Sequence, residues 1–114
     1  MIVMKFGGTS LADGQRLRDA ARIVAAQQGA HLGSGGGPSP APTVVVVVSA
    51  MGETTYQLLA AGRAAEQGDR EAVGAIVAEL TRLHHGATDC DQTRATVAAG
   101  VAELRQVLEG ITLL

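Results

Sequence analysis

The sequence predicts an α/β chain with parallel strands and flanking helices, and three observations carry that prediction. Residues 44–48 are five consecutive valines. A β-branched run with no polar alternation fits a strand covered on both faces, the usual state in a parallel sheet between helices. Ile2 to Phe6 is a second short apolar strand, interrupted only by Lys5 near its end. Between the two, Leu17, Ala20, Ala21 and Val24 recur at i, i+3, i+4 and i+7, which is one face of a helix.

Strand, helix, strand in that order forms a βαβ unit over residues 1–49, and such crossovers are nearly always right-handed. The helix is expected over about residues 13–28, with Asp13 as its N-cap. Residues 29–43 carry Gly33, Gly35, Gly36 and Gly37, then Pro38, Pro40 and Pro42. That composition orders poorly and reads as a flexible surface loop. After Ser49 the pattern is helical throughout residues 54–112. One helix is expected from Thr54 or Thr55 to about Gln67. A second runs from Asp69 to about His84, with Val73, Ile76, Val77, Leu80 and Leu83 in register. A third runs from Gln92 to about Glu109, with Val97, Val101, Leu104, Leu108 and Ile111 in alternating steps of four and three. The turn-rich residues 85–89 make these last two an antiparallel pair. Two strands do not make a stable sheet with both faces covered, and the chain ends on the apolar Ile111-Thr112-Leu113-Leu114. The expectation is a sequence that stops inside a domain, with further strands to follow.

Composition narrows the function. Hydrophobic residues are 46% and aromatics 2%, so the core is built from aliphatic side chains. A net charge of −2 leaves no electrostatic footprint for nucleic acid or an anionic membrane. The single cysteine, Cys90, excludes an internal disulfide and fits a reducing compartment. The N-terminus lacks the pattern of a signal peptide, and the valine run is too short to span a bilayer. A cytoplasmic globular chain is expected.

Two loops could carry chemistry. Lys5, Gly7, Gly8, Thr9 and Ser10 lie between a strand and a helix. Glycines let the backbone approach an anion and aim N–H groups at it. The following helix presents its positive end there. Lys5 adds a full charge at the carboxyl end of the strand, where ligands bind in open α/β sheets. The alternative is a tight turn with Lys5 merely solvated. The second loop, Ser49-Ala50-Met51-Gly52-Glu53-Thr54-Thr55, leaves the same sheet edge and gathers hydroxyls and N–H groups that suit a carboxylate or phosphate. Its alternative is helix capping by Thr54 or Thr55. Gly33 to Gly37 is no dinucleotide fingerprint, because it precedes a strand instead of following one. His84 and His85 end a helix and do not share a face, so they complement its dipole and form no metal pair. No metal site is expected, and Cys90 reads as an ordinary thiol.

Lys5-Phe6-Gly7-Gly8-Thr9-Ser10-Leu11-Ala12 resembles the opening signature of aspartate kinases, in the amino-acid kinase fold. Val44 to Val48 followed by Ser49-Ala50-Met51-Gly52 and Thr54-Thr55 resembles that family's second signature, at the right distance. The resemblance implies the N-terminal part of an amino-acid-kinase-like three-layer sandwich, incomplete, with residues 1–114 forming part of one kinase domain. It implies an enzyme that transfers the γ-phosphoryl of ATP, bound with Mg2+, to the side-chain carboxylate of L-aspartate, giving 4-phospho-L-aspartate for lysine, threonine and methionine synthesis. Lys5 would contact the transferring phosphoryl group. Gly7, Gly8, Thr9 and Ser10 would line the phosphate site, and Ser49 and Thr55 would bind aspartate. The full-length enzyme would be a homo-oligomer, and this chain alone would be inactive. Tyr56 departs from the Asp or Asn usual at its position, which keeps another small-molecule kinase of the same fold in play. A non-catalytic fragment that pairs through its valine-rich strand edge is a third reading.

Overall fold

The computed structural model describes residues 1–29 and 43–114. The expected Gly/Pro loop, with Gly33 to Gly37, falls outside the described residues apart from its two ends. The chain divides into two compact units, Met1–Gly52 and Glu53–Leu114.

The first unit contains β1 (Ile2–Phe6), a single 3-10 turn (Gly8–Leu11), α1 (Gly14–Gly29) and β2 (Val44–Val48). The strands pair in parallel, from Ile2 opposite Val44 to Phe6 opposite Val48. Asp13 starts α1 as expected: its carboxylate accepts the Arg16 N–H at 2.9 Å and its carbonyl accepts the Leu17 N–H at 3.0 Å. Side chains alternate across a strand, so Ile2, Met4 and Phe6 share one face. Those three are half-buried, while Val3 and Lys5 on the other face are exposed. Leu17, Ala20, Ala21 and Val24 of α1 line a groove with Phe6, Val46 and Val48, so the predicted apolar stripe does turn toward the sheet.

The expectation of strands covered on both faces fails within this unit. Val45 to Val48 are all exposed, Val48 to 57%. The physical reason is supply. A five-valine strand asks for apolar cover on two faces, and this unit offers one helix whose facing residues include two alanines.

The second unit contains α2 (Thr54–Glu66), α3 (Arg70–His85) and α4 (Asp91–Thr112). Asp69 caps α3, accepting the Ala72 N–H at 3.0 Å, and Gly68 before it adopts φ +72°. The turn into α4 is held by the Arg94 guanidinium on the Thr88 carbonyl at 2.9 Å. One cleft joins Arg70 and Val73 of α3 to Arg105, Glu109 and Thr112 of α4. Another joins Leu80 and His84 to Val97 and Gly100. The start of α3 therefore meets the end of α4 and vice versa, so the pair is antiparallel. The core is Ala61, Ala65, Val77 and Leu108, with Val73, Ile76, Val101, Leu104 and Ile111 packed against it. Helix α2 thus turns the expected pair into three packed helices. Ala61 and Ala65 are fully buried, and small residues at that face let the helix axes approach closely. Helix α4 continues three residues past its expected end, because Gly110 costs only about 1 kcal/mol in a helix and Ile111 extends the apolar stripe. No helix among the described residues is long and apolar enough to cross a membrane.

Candidate active site

The site builds up at the carboxyl edge of the two-stranded sheet. Lys5 is the penultimate residue of β1 and pairs with Val47. It is exposed, and its ammonium has no ion-pair or hydrogen-bond partner among the described residues. After Phe6 the chain turns at once into the 3-10 segment, closed by the Ser10 N–H on the Gly7 carbonyl at 2.9 Å. The N–H groups at the start of a helix have no partner within it, and no acceptor meets those of Gly8 and Thr9 among the described residues. Gly7 has φ −110°, which any residue adopts. A side chain at Gly7 or Gly8 would meet no atom within 4 Å. Nothing in the chain's own packing therefore demands glycine at either position, and the space above them is open.

Sequence reasoning had placed the two loops on one edge. The structure goes further and joins them. The Ser49 N–H donates to the Phe6 carbonyl at 3.2 Å, which extends the ladder past the end of β2. The Gly52 N–H then donates to the Leu11 carbonyl at 2.9 Å. Leu11 is 1% exposed and Met51 is also buried, so each loop is anchored by one apolar side chain. Gly52 has φ +58°, a left-handed conformation that favours glycine. The Arg16 guanidinium donates to the Thr9 carbonyl at 3.2 Å. The Arg16 and Gly52 contacts were not anticipated. Gly52 in the string Met51-Gly52-Glu53 was the available signal for a left-handed turn. Arg16 gave none, since a lone arginine in a first helical turn usually points to solvent.

Ser49 is exposed, and among the described residues its hydroxyl donates to the neighbouring Ala50 carbonyl at 3.2 Å. It is free to exchange that weak local contact for a ligand. Thr55 is exposed and lies inside the first turn of α2, in the second unit. The capping alternative for Thr54 and Thr55 does not hold. The N-cap is Glu53, which makes no side-chain capping bond, and both threonines lie within the helix. Tyr56, in the same turn, is 73% exposed. No group of three or more metal-ligating side chains occurs among the described residues.

Residues 1–109 match the amino acid kinase family. The chain belongs to that family. A two-stranded parallel sheet with four α-helices among the described residues is consistent with part of an amino-acid-kinase-like fold. The chain is similar to named aspartokinases. It is 45% identical over 60 residues to the "Aspartokinase" of Mycobacterium tuberculosis, covering 52% of this chain and 12% of the relative. It is 43% identical over 60 residues to the "Aspartokinase" of Mycolicibacterium smegmatis, again covering 52% and 12%. It is 29% identical over 115 residues to "Aspartokinase 1, chloroplastic" of Arabidopsis thaliana, covering 98% and 18%. The chain therefore spans between about an eighth and a fifth of the length of the curated relatives it matches.

Proposed function

We propose that this chain supplies phosphate-binding loops of an aspartate kinase, which uses ATP to phosphorylate the side-chain carboxylate of L-aspartate. One observation carries the reading. Two loops that leave the same edge of a parallel sheet are tied together by the Gly52–Leu11 hydrogen bond, and Lys5 on the adjoining strand has no partner among the described residues. The names of the similar proteins support aspartate as the acceptor.

The donor set fits a polyphosphate. Open space above Gly7 and Gly8 admits a bulky anion, and the N–H groups of Gly8 and Thr9 can donate to it. The Ser10 hydroxyl adds a neutral donor. Lys5 offsets the charge of the transferring phosphoryl group. ATP, when bound, supplies that group, and the aspartate carboxylate displaces ADP from it. Ser49 and Thr55 hold the aspartate. Mg2+ enters with the nucleotide and not on a carboxylate cage of these residues. Such transfer is catalysed mainly by positioning and charge stabilisation. In this reading the enzyme works in the cytoplasm as a homo-oligomer, with residues 1–114 as part of its kinase domain.

The test is aspartate-dependent ADP release by the full-length polypeptide that carries this chain. Lys5→Ala is expected to lower kcat by roughly 10²–10⁴-fold, while the 114 residues alone show no turnover. A near-normal kcat in Lys5→Ala would remove Lys5 from its role. The exposed Tyr56 beside Thr55 favours one second reading, a different small carboxylate acceptor. A panel of aspartate, glutamate and acetylglutamate separates the two by which one supports turnover.

A further inference from the structure

The 3-10 turn between β1 and α1 is only four residues long, is exposed apart from Leu11, and is entered through the Ser10 N–H bond to the Gly7 carbonyl. Left to itself such a turn holds its shape poorly, because 3-10 hydrogen bonds have worse geometry than α-helical ones. Two of its carbonyls are gripped from outside. Gly52 takes the Leu11 carbonyl at 2.9 Å, and Arg16 takes the Thr9 carbonyl at 3.2 Å. Arg16 is itself fixed, since its backbone N–H is bonded to the Asp13 carboxylate that caps α1. Its side chain then reaches back over the turn and lines a groove with Phe6, Ser10, Asp19, Ala20 and Ile23. The neighbouring carboxylate, Asp19, accepts at Oδ1 from Arg22 at 2.9 Å and from Gln15 at 3.0 Å.

We infer that Arg16 is a positioning residue for nucleotide: by holding the Thr9 carbonyl it fixes the turn whose N–H groups receive the phosphates. This rests on reading residues 7–10 as the phosphate turn. The guanidinium is a charged donor on a backbone acceptor, a stronger class of hydrogen bond than a neutral pair. Losing it frees the turn to sample other shapes, and the ligand must then select the competent one at a cost in affinity. The effect falls on nucleotide binding and not on the acceptor, because Arg16 touches only the first loop.

The test measures MgATP affinity of the full-length polypeptide by calorimetry without aspartate, and aspartate KM separately at saturating MgATP. Arg16→Met keeps the aliphatic stem and removes the donors. It is expected to weaken MgATP binding roughly 5- to 10-fold, with aspartate KM within about twofold of the parent. Arg16→Lys, which keeps a charged donor, recovers most of the loss. Arg22→Met, which removes an equal charge from the same helix, leaves MgATP affinity unchanged. Should Arg16→Met fold poorly, Arg16→Gln is measured in its place. Unchanged MgATP affinity in Arg16→Met overturns the inference. So does an equal loss in Arg22→Met, which would make the effect one of net charge. A parallel rise in both constants with a lowered Tm and no rescue by lysine would make Arg16 merely structural, and also overturns it. A parent that binds MgATP but leaves aspartate unphosphorylated would defeat the acceptor assignment alone, with the Arg16 comparison still readable. A parent that binds no MgATP would defeat both.

Discussion

The two units of this chain spend their residues differently. In the second, small and branched aliphatics close a core: Ala61, Ala65, Val77 and Leu108 are almost fully buried, with five further apolar residues packed around them. In the first, the most apolar segment of the sequence, Val44 to Val48, stays largely exposed, while fixed geometry is concentrated in the loops at the sheet edge. Leu11 and Met51 are buried there, and backbone bonds tie loop to loop. The second unit's stability is built in its helices, and the first unit's fixed geometry is built in its loops. Substitutions in the two units should therefore fail in different ways.

The largest stability effect is expected at Leu108, which is 3% exposed at the centre of the helical core. Leu108→Ala removes buried methyl groups and leaves a cavity, a loss of about 2–4 kcal/mol. Urea unfolding followed by helical circular dichroism measures it, at temperatures where the variant is still folded. MgATP affinity of the folded fraction should match the parent. A large change in affinity with little change in stability would break the division between the units.

A matched pair of glycines sharpens the comparison. Gly52 has φ +58° and Gly68 has φ +72°, so alanine at either position is strained by about 1–2 kcal/mol. The stability losses should be similar. Only Gly52→Ala should also impair phosphoryl transfer, because Gly52 donates the bond that joins the second loop to the first. Gly68 precedes the capping residue of α3, far in sequence from either loop, and a Gly68→Ala variant should retain activity once folded. Equal loss of activity in both would show that strain alone, and not loop coupling, controls the site.

Much of this architecture was legible in the sequence, and the parts that were not have a common physical cause. The strands and helices followed from periodicity and β-branching, both local properties. Lys5, the glycine turn and Ser49 followed from composition at strand ends. What the residues could not announce were contacts made by backbone atoms. The Gly52–Leu11 and Arg16–Thr9 bonds both end on carbonyl oxygens, which every residue carries, so no side-chain pattern marks them. The exposure of β2 has a related reason. A run of valines states what cover the strand wants, and the number of helices available to provide it is a property of the whole unit. Helix α2 joined the core through Ala61 and Ala65, residues too small to produce a strong apolar stripe.

The smallest effect lies at the join between α3 and α4, in the unit otherwise devoted to packing. Cys90 is an exposed free thiol at the N-cap of α4. The nearby Thr93 backbone N–H, Thr93 hydroxyl and Gln92 N–H lower its pKa from the ordinary thiol range, because each favours the thiolate. A thiol whose folded pKa is depressed gains its folded-state advantage above the unfolded pKa, and loses it as pH falls through the folded value. Alkylation by iodoacetamide should accordingly show a pH midpoint lower in the folded chain than in urea. Thr93→Val removes only the hydroxyl and should move the folded midpoint part of the way back. The shift needs no ligand and no contact with the first unit, so it should be the same with and without MgATP. A midpoint that moves on nucleotide binding would mean that the helical unit reports on the loops after all.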